Sequence, residues 1–240
     1  MKANLVWANP TSGRGRGSKI LAETLDYLDK QRVRYHVIAT SSLDSAIQEF
    51  QEKSLSDFER LFIIGGDGLV HHALNELAPR AAADIPMGIV PAGTGNDFAR
   101  TSFQKMSDLA KIVEAIGSNS YRHIDVIKVD LLDSSRYFGQ VLSSGFDSYV
   151  NAKANRLRYS PGSVKYVLAL FLELPAFKPL HYELIIDGKV AEISAMMVVL
   201  LVIVSDGFSF ILDLVTVLVS TLLRTPSLLV LISSIATANS

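Results

Sequence analysis

A short apolar run, LFII at residues 61–64, leads directly into the glycine-rich turn GGDG at residues 65–68, and a helical pattern follows over residues 69–77. A strand, a glycine turn and a helix in this order readily build a phosphate site. Glycine lets the backbone approach the ligand, and the helix N-terminus presents unpaired N–H groups. Because a carboxylate repels phosphate, Asp67 at the tip indicates a Mg²⁺ ligand or a proton acceptor. An ordinary turn with an exposed aspartate is the alternative.

A second turn of the same kind follows later in the chain. The run MGIVP at residues 87–91 enters the turn AGTGNDF at residues 92–98, where another helical pattern begins. If the two strands are parallel in one sheet, both turns emerge at its carboxyl edge, where open α/β sheets place ligands. Earlier strands are expected at residues 5–8 and 34–39, with helical patterns between. The alternation predicts a parallel, doubly wound α/β domain.

The common nucleotide loops are excluded on the residues themselves. The glycines of GRGRG at residues 13–17 fail the dinucleotide fingerprint, because Ser18 stands where G-x-G-x-x-G needs its third glycine. The next strand ends at Thr40, not at a ribose-binding carboxylate, and no G-x-x-x-x-G-K-[ST] run occurs. The basic side chains of the loop are expected to neutralise nucleotide phosphates, or else to form a solvated loop: Arg14, Arg16 and Lys19.

Three motifs together resemble the diacylglycerol kinase catalytic domain family, which includes bacterial lipid kinases and sphingosine kinases. They are NPTSG at residues 9–13, GGDG at residues 65–68 followed by Asn75, and PAGTGNDFA at residues 91–99. The resemblance implies an ATP- and Mg²⁺-dependent kinase that phosphorylates a lipid hydroxyl such as that of diacylglycerol. It also implies nucleotide-binding positions: Asn9, Thr40, Gly65, Gly66, Asp67, Gly68, Gly93 and Thr94.

Beyond a hinge at residues 117–120 the hydrophobic period changes from helical to two. Strands are expected at residues 123–130, 137–142 and 181–186, with a helical insert at residues 164–174. We therefore expect a nucleotide-binding α/β domain over residues 1–120. A β-rich, β-sandwich-like lipid-substrate domain, incomplete, is expected over residues 121–240. The resemblance implies the same two-domain plan, in which the apolar insert and Phe177 help to form an acyl pocket or a membrane-facing edge.

The C-terminal region has few charges and departs from the family pattern. From residue 193 onward only Asp206, Asp213 and Arg224 are charged. The run SDG at residues 205–207 and the run around Asp213 resemble two halves of a family segment that supplies a catalytic carboxylate. The resemblance therefore implies either Asp67 or Asp206 as the catalytic base. We expect a truncated or aberrant end, and the apolar run at residues 196–204 is too short to span a bilayer.

Two substitutions and the overall composition complete the expectations. Leu69 replaces a usual threonine, and His72 stands where a glutamate is usual in the family. His71 is adjacent to it, but neighbouring helical side chains point about 100° apart, so a shared metal is not expected.

A net charge of -1 argues against a nucleic-acid partner. The absence of cysteine and of a signal peptide favours a cytoplasmic protein, peripheral at the membrane, and a homodimer is left open.

Two other functions are compatible with the same residues. An NAD kinase-like enzyme shares the glycine-glycine-aspartate-glycine loop, although the GTGNDF run at residues 93–98 favours the lipid branch. A nucleotide-binding, catalytically dead remnant is the other, and His72 and the unusual C-terminal region support it. Binding without turnover would distinguish this remnant from a kinase.

Overall fold

The computed structural model describes residues 2–40, 42–80, 85–102, 109–118, 121, 124, 126–157, 164–186, 188–201, 203–205, 208–210 and 227–232. The chain forms two compact units. One comprises Met1–Gly139 with Val204–Ser209, and the other comprises Gln140–Ile203 with Phe210–Ser240. The domain boundary at residue 120 stays a prediction.

Strands and helices alternate along the first unit. The elements in chain order are β1 (Ala3–Ala8), α1 (Ser12–Lys30), β2 (Tyr35–Ile38), α2 (Leu43–Gln51), β3 (Phe58–Gly65), α3 (Asp67–Leu77), β4 (Met87–Pro91), α4 (Asp97–Ser102), α5 (Leu109–Gly117), β5 (Ile127–Asp130) and β6 (Ser135–Phe138). Short 3₁₀ turns at Leu55–Asp57 and Ala78–Arg80 follow α2 and α3.

The first four strands form a parallel sheet in the order β2-β1-β3-β4. Val6 lies opposite Val37 on one side and Phe62 on the other, and Ile64 lies opposite Val90. The chain first moves outward from β1 to β2 and then returns to the other side of β1 with β3. This reversal between β1 and β3 is the topological switch point of a doubly wound sheet, and the predicted N-terminal fold is confirmed.

The core lies on both faces of this sheet because alternate strand residues point to opposite sides. On one face a cluster packs with α2, α3 and α4, and it includes Leu5, Trp7, Phe50, Leu61, Ile63 and Ile89. On the other face a cluster packs with α1 and α5, and it includes Val6, Leu28, Phe62, Ile64, Val90 and Val113. The central strands β1 and β3 are buried on both faces, and most of their residues form apolar runs, as is usual for parallel strands.

Antiparallel β5 and β6 form a separate hairpin in the first unit. The single strand predicted at residues 137–142 is wrong, because β6 ends at Phe138 and a new strand starts at Val141. Between them, a Cβ added to Gly139 would lie 3.2 Å from Leu74 Cδ1 and 3.3 Å from Phe98 Cε2. Gly139, which packs closely against Leu74 and Phe98, thus lies in the break between the two strands.

The second unit is β-rich with two helices. Its elements are β7 (Val141–Gly145), α6 (Phe146–Arg156), α7 (Val164–Glu173), β8 (Leu180–Ile186), β9 (Lys189–Ala195) and β10 (Met197–Leu201). The chain continues with β11 (Ile203–Ser205) and β12 (Phe208–Phe210), which lie mostly in the Val204–Ser209 segment of the first unit, and with β13 (Ser227–Ile232) of the second unit. Strand β10 pairs with β7, β8 lies between β13 and β9, and β11 pairs with β12. The β-rich C-terminal half is confirmed, whereas α6 was not predicted.

Helices α6 and α7 share a small core in the second unit. Phe146, Val150 and Ala154 of α6 pack with Ala169 of α7, and the Phe177 ring lies edge-on to Phe146 at 5.0 Å. Across the described residues, no helix is both long and apolar enough to cross a membrane. Asp206 and Asp213 lie outside the described residues.

Candidate functional site

The four parallel strands bring several predicted site residues to one carboxyl edge. In sheet order the strands are followed by Thr40, Asn9, Gly66 and Ala92 with Gly93. Asn9 and Gly66 therefore flank the switch point, where doubly wound sheets bind ligands. The carboxyl ends of these four parallel strands therefore mark the position of the candidate site.

The two glycine loops pack directly against each other. The backbone N–H groups of Ala92 and Gly93 donate to Gly65 O at 2.8 and 3.2 Å. A Cβ on Gly93 would lie 2.6 Å from Gly66 Cα, so this contact excludes any side chain. The sequence suggested that these glycines let the backbone approach phosphate. In the structure, Gly66 and Gly93 let the two loop backbones contact each other. Gly68 differs, because a Cβ there would meet no atom within 4 Å.

The second loop is closed by the side chain of Asn96. Its Oδ1 accepts from Gly93 N at 2.9 Å, and its Nδ2 donates to Gly93 O at 2.8 Å. Asn96 itself has φ 58, a left-handed conformation that asparagine tolerates better than most residues. The closed turn leaves Thr94 exposed at its tip, with a hydroxyl able to reach a ligand.

Asp67 connects the two loops through its carboxylate. It is the first residue of α3, after the N-cap residue Gly66, and its Oδ1 accepts from the backbone N–H of Phe98 at 3.0 Å. A Cβ on Gly95 would lie 2.8 Å from Oδ2. The observed partner of this carboxylate thus lies in the second loop rather than in α3. One oxygen holds the second loop, and the other lies beside Gly95.

Arg16 joins a third loop to the same turn. Its Nη2 donates to Gly93 O at 2.6 Å, and Gly13, with φ 58, approaches so closely that a Cβ would collide with Ala92 O. Arg16 was expected to face phosphate, and its contact with a carbonyl was not foreseen. Arg14 is exposed, with φ 62.

Asn9 and Thr40 organise the turns that follow their strands. Asn9 Oδ1 accepts from Thr11 N at 3.1 Å and from Thr11 Oγ1 at 2.8 Å. Thr40 Oγ1 donates to Ser42 O at 2.6 Å, which leaves the hydroxyl oxygen able to accept a further bond. Their nucleotide contacts remain predictions.

The polar face of α3 is held by β6 through Asn75. Asn75 Oδ1 accepts from Tyr137 N at 2.9 Å, and its Nδ2 donates to Tyr137 O at 2.8 Å. The rings of His71 and His72 lie nearby, with centroids 5.9 Å apart. Desolvation lowers the pKa of His71 from its ordinary value, and the positive charges of His72 and Arg136 add to the effect.

Comparison with known proteins decides the family. Residues 3–129 match the family model described as "Diacylglycerol kinase catalytic domain", and residues 140–208 match "YegS C-terminal NAD kinase beta sandwich-like domain". The chain belongs to the diacylglycerol kinase catalytic domain family. Family membership supports a kinase, and the second match agrees with the β-rich half.

Named relatives agree with this membership of the diacylglycerol kinase family. The chain is 33% identical over 181 residues to a diacylglycerol kinase of Mycobacterium tuberculosis, covering 75% of this chain and 58% of that protein. It is 28% identical over 193 residues to a diacylglycerol kinase of Bacillus subtilis, covering 80% and 62%. The chain thus spans less than two thirds of the length of these relatives.

A solved structure shows the same fold. The crystal structure of a diacylglycerol kinase from Bacillus anthracis str. Sterne matches with a TM-score of 0.55 and 23% identity, covering 83% of this chain and 64% of that one. At this identity the likeness concerns the fold alone.

A kinase of this family implies a bound Mg²⁺ ion, so the side chains that could ligate a metal are relevant. The described part of the chain contains no group of three or more His, Cys, Asp or Glu side chains that could hold a metal ion. Mg²⁺ in nucleotide sites commonly needs only one or two carboxylates, with phosphates and water as its other ligands. Two carboxylates lie beside Gly95, where an added Cβ would be 2.8 Å from Asp67 Oδ2 and 3.7 Å from Asp97 Oδ2. This small donor set fits Mg²⁺ that is carried by a nucleotide.

Proposed function

We propose that this protein is an ATP- and Mg²⁺-dependent lipid kinase that transfers the γ-phosphate to a lipid hydroxyl such as that of diacylglycerol. The observation that carries the proposal is the contact of the two glycine loops at the carboxyl edge of the sheet, with Asp67 bonded across them. Phosphoryl transfer needs mainly positioned phosphates, a metal and one group that orients the attacking hydroxyl. The first unit supplies residues for each of these tasks.

The phosphates of the nucleotide would lie at the N-terminus of α3. This helix has eleven residues, and its unpaired N–H groups and dipole favour an anion. Gly68 is exposed there and has open space around it, so a phosphate can approach its backbone. The Thr94 hydroxyl and the Arg14 guanidinium would add contacts from the neighbouring loops, and Asn9 and Thr40 would line the rest of the nucleotide.

Asp67 would act through the oxygen that does not bond to Phe98. Oδ2 can accept the proton of the lipid hydroxyl or a hydrogen bond from a water on Mg²⁺, while Oδ1 keeps the carboxylate in place. Mg²⁺, when bound with the nucleotide, would neutralise charge on the phosphates. Asp206, the rival base, lies outside the described residues, so the choice between the two depends on kinetics.

The second unit offers a surface suited to a lipid acceptor. The apolar side chains of α7 are largely exposed, among them Val164, Val167, Leu168, Phe171 and Leu172. The charged Glu173 is instead bonded to Lys153 of α6 at 3.1 Å. A helix with an apolar outward face is typical of a protein that works at a membrane surface. This face supports a peripheral location at the membrane.

The test is phosphate transfer from labelled ATP, with Mg²⁺, to a panel of lipids in mixed micelles and to NAD. Label in diacylglycerol or a related lipid supports the proposal, and label in NAD replaces it with an NAD kinase-like activity. Transfer to no acceptor, together with ATP binding, would identify a catalytically dead remnant. The matched variant Asp67→Asn reports whether any transfer observed depends on this site.

A further inference from the structure

The polar face of α3 carries three side chains at successive turns: Asp67, His71 and Asn75. Residues four apart on a helix are neighbours on one face. His71 therefore lies one turn beyond the carboxylate that bonds to the second glycine loop. Asp67 bonds to the second glycine loop, and Asn75 bonds to β6. The functions assigned above give His71 no role.

Strand β6 brings a cation to the same face. The Asn75 side chain makes two hydrogen bonds with the backbone of Tyr137, which places the preceding residue, Arg136, beside this part of α3. Arg136 is exposed, and its Nη1 donates to Ser135 O at a long 3.5 Å. The His72 ring lies 5.9 Å from the His71 ring.

These three groups lack a carboxylate partner. In the ranges that the structure describes, His71, His72 and Arg136 form no ion pair, whereas many other charged side chains of the first unit do. Arg136 is positively charged, and its repulsion of a protonated His71, after desolvation and the charge of His72, lowers the pKa of the His71 ring. A bound anion would remove this repulsion and would supply acceptors for the guanidinium and the imidazole N–H groups.

We propose that His71, His72 and Arg136 form a binding site for a phosphomonoester dianion one helical turn from Asp67. The proposal rests on the proposed function, because a kinase forms a phosphomonoester beside Asp67. The ligand chemistry is a terminal phosphate with three free oxygens, which the phosphorylated lipid, a nucleotide or inorganic phosphate can each supply. The site lies outside the two glycine loops, so the phosphorylated lipid is the expected source.

Calorimetric titrations with the full chain test the site through three probes: dihexanoyl phosphatidic acid, a non-hydrolysable ATP analogue with Mg²⁺, and inorganic phosphate. In Arg136→Gln and His71→Gln, we expect the affinity for phosphatidic acid and for inorganic phosphate to fall about 10-fold or more, since a hydrogen bond to a charged group is lost. The affinity for the ATP analogue should change by less than about two-fold. An equal loss for all three probes would overturn the lipid source, and no loss for any probe would overturn the site.

Matched controls are Arg34→Gln and His36→Gln, which change exposed side chains at edge strand β2. Both should bind all three probes as the wild type does. A wild type that does not bind the ATP analogue would refute the proposed function, while binding of inorganic phosphate that depends on Arg136 would still support the site.

A second readout does not depend on activity. Titration of the His71 ring by NMR should show a pKa that rises in Arg136→Gln, because a neighbouring positive charge is removed. Inorganic phosphate should raise the same pKa in the wild type and much less in Arg136→Gln. A His71 pKa that ignores phosphate in the wild type would contradict the proposal even if every variant folds normally.

Discussion

The carboxylate of Asp67 accepts a hydrogen bond from the backbone N–H of Phe98, 31 positions later in the chain, at 3.0 Å. The candidate catalytic base is thus also a structural link between the two glycine loops. Asp67 therefore contributes both a charge and a structural link, and the choice of replacement separates the two.

Asp67→Asn keeps an oxygen that can accept from Phe98 N but removes the charge. We expect its melting temperature to stay close to that of the wild type, and phosphate transfer to fall by roughly 10²–10⁴-fold if Asp67 is the base. Asp67→Ala also loses the link, so it should unfold with about 1 kcal/mol less free energy. Full lipid phosphorylation by Asp67→Asn would show that the base is elsewhere, with Asp206→Asn as the next variant.

Gly93→Ala and Gly68→Ala separate loop packing from phosphate binding. The Gly93 Cβ would lie 2.6 Å from Gly66 Cα, so this variant should lose about 1–3 kcal/mol of stability through overpacking. Gly68→Ala places its Cβ in open space and should fold normally. If phosphates lie against α3, Gly68→Ala should still weaken ATP binding. Thermal unfolding with and without ATP and Mg²⁺ measures both effects, and an unchanged ATP-induced shift in Gly68→Ala would contradict this placement of the phosphates.

Arg16→Gln and Arg14→Gln distinguish a structural arginine from a phosphate-binding one. Arg16 donates to Gly93 O at 2.6 Å, so its loss should lower stability by about 1 kcal/mol even without nucleotide. Arg14 is exposed, so its loss should leave the free protein unchanged and weaken ATP binding, more so at low salt. Denaturant unfolding and ATP titration of both variants test this, and identical behaviour of the two would refute the distinction.

Local patterns in the sequence predicted the sheet and its two glycine loops. The apolar runs at residues 61–64 and 87–91 are short, and glycine ends both, so strand, turn and helix followed from neighbouring residues. The contacts that join the loops were not predicted, because Arg16 meets Gly93 across 77 positions and no local pattern encodes such a pair. Helix α6 was missed for a different reason: only three of its residues are buried, Phe146, Val150 and Ala154.

Asn75→Asp tests the attachment of β6 to α3. The substituted carboxylate can still accept from Tyr137 N but places an oxygen against Tyr137 O, where Asn75 Nδ2 now donates at 2.8 Å. We expect a loss of about 1–3 kcal/mol in unfolding free energy and faster hydrogen exchange along β6. Asn151→Asp, at an exposed position of α6, is the control for the added charge. Equal stability of the two variants would show that the hairpin does not depend on Asn75.

His71 should make the folded protein less stable in mild acid. Its pKa is lowered in the folded state, first by desolvation and then by the charges of His72 and Arg136. The unfolded chain therefore takes up this proton first as pH falls below about 6.5, and the folded state loses stability between that pH and the lowered folded pKa. Above about pH 6.5 the folded protein keeps its full stability with respect to this group, because His71 is neutral in both the folded and the unfolded state.

Urea unfolding at about pH 7.5 and about pH 5.5 measures this contribution. The groups that face His71 are Asp67, His72 and Asn75 on α3 and Arg136 on β6. In His71→Gln the midpoint should fall less on acidification than in the wild type, whereas His36→Gln, at an exposed position of β2, should follow the wild type. An equal fall in His71→Gln and in the wild type would show that the proton taken up on unfolding belongs to another residue.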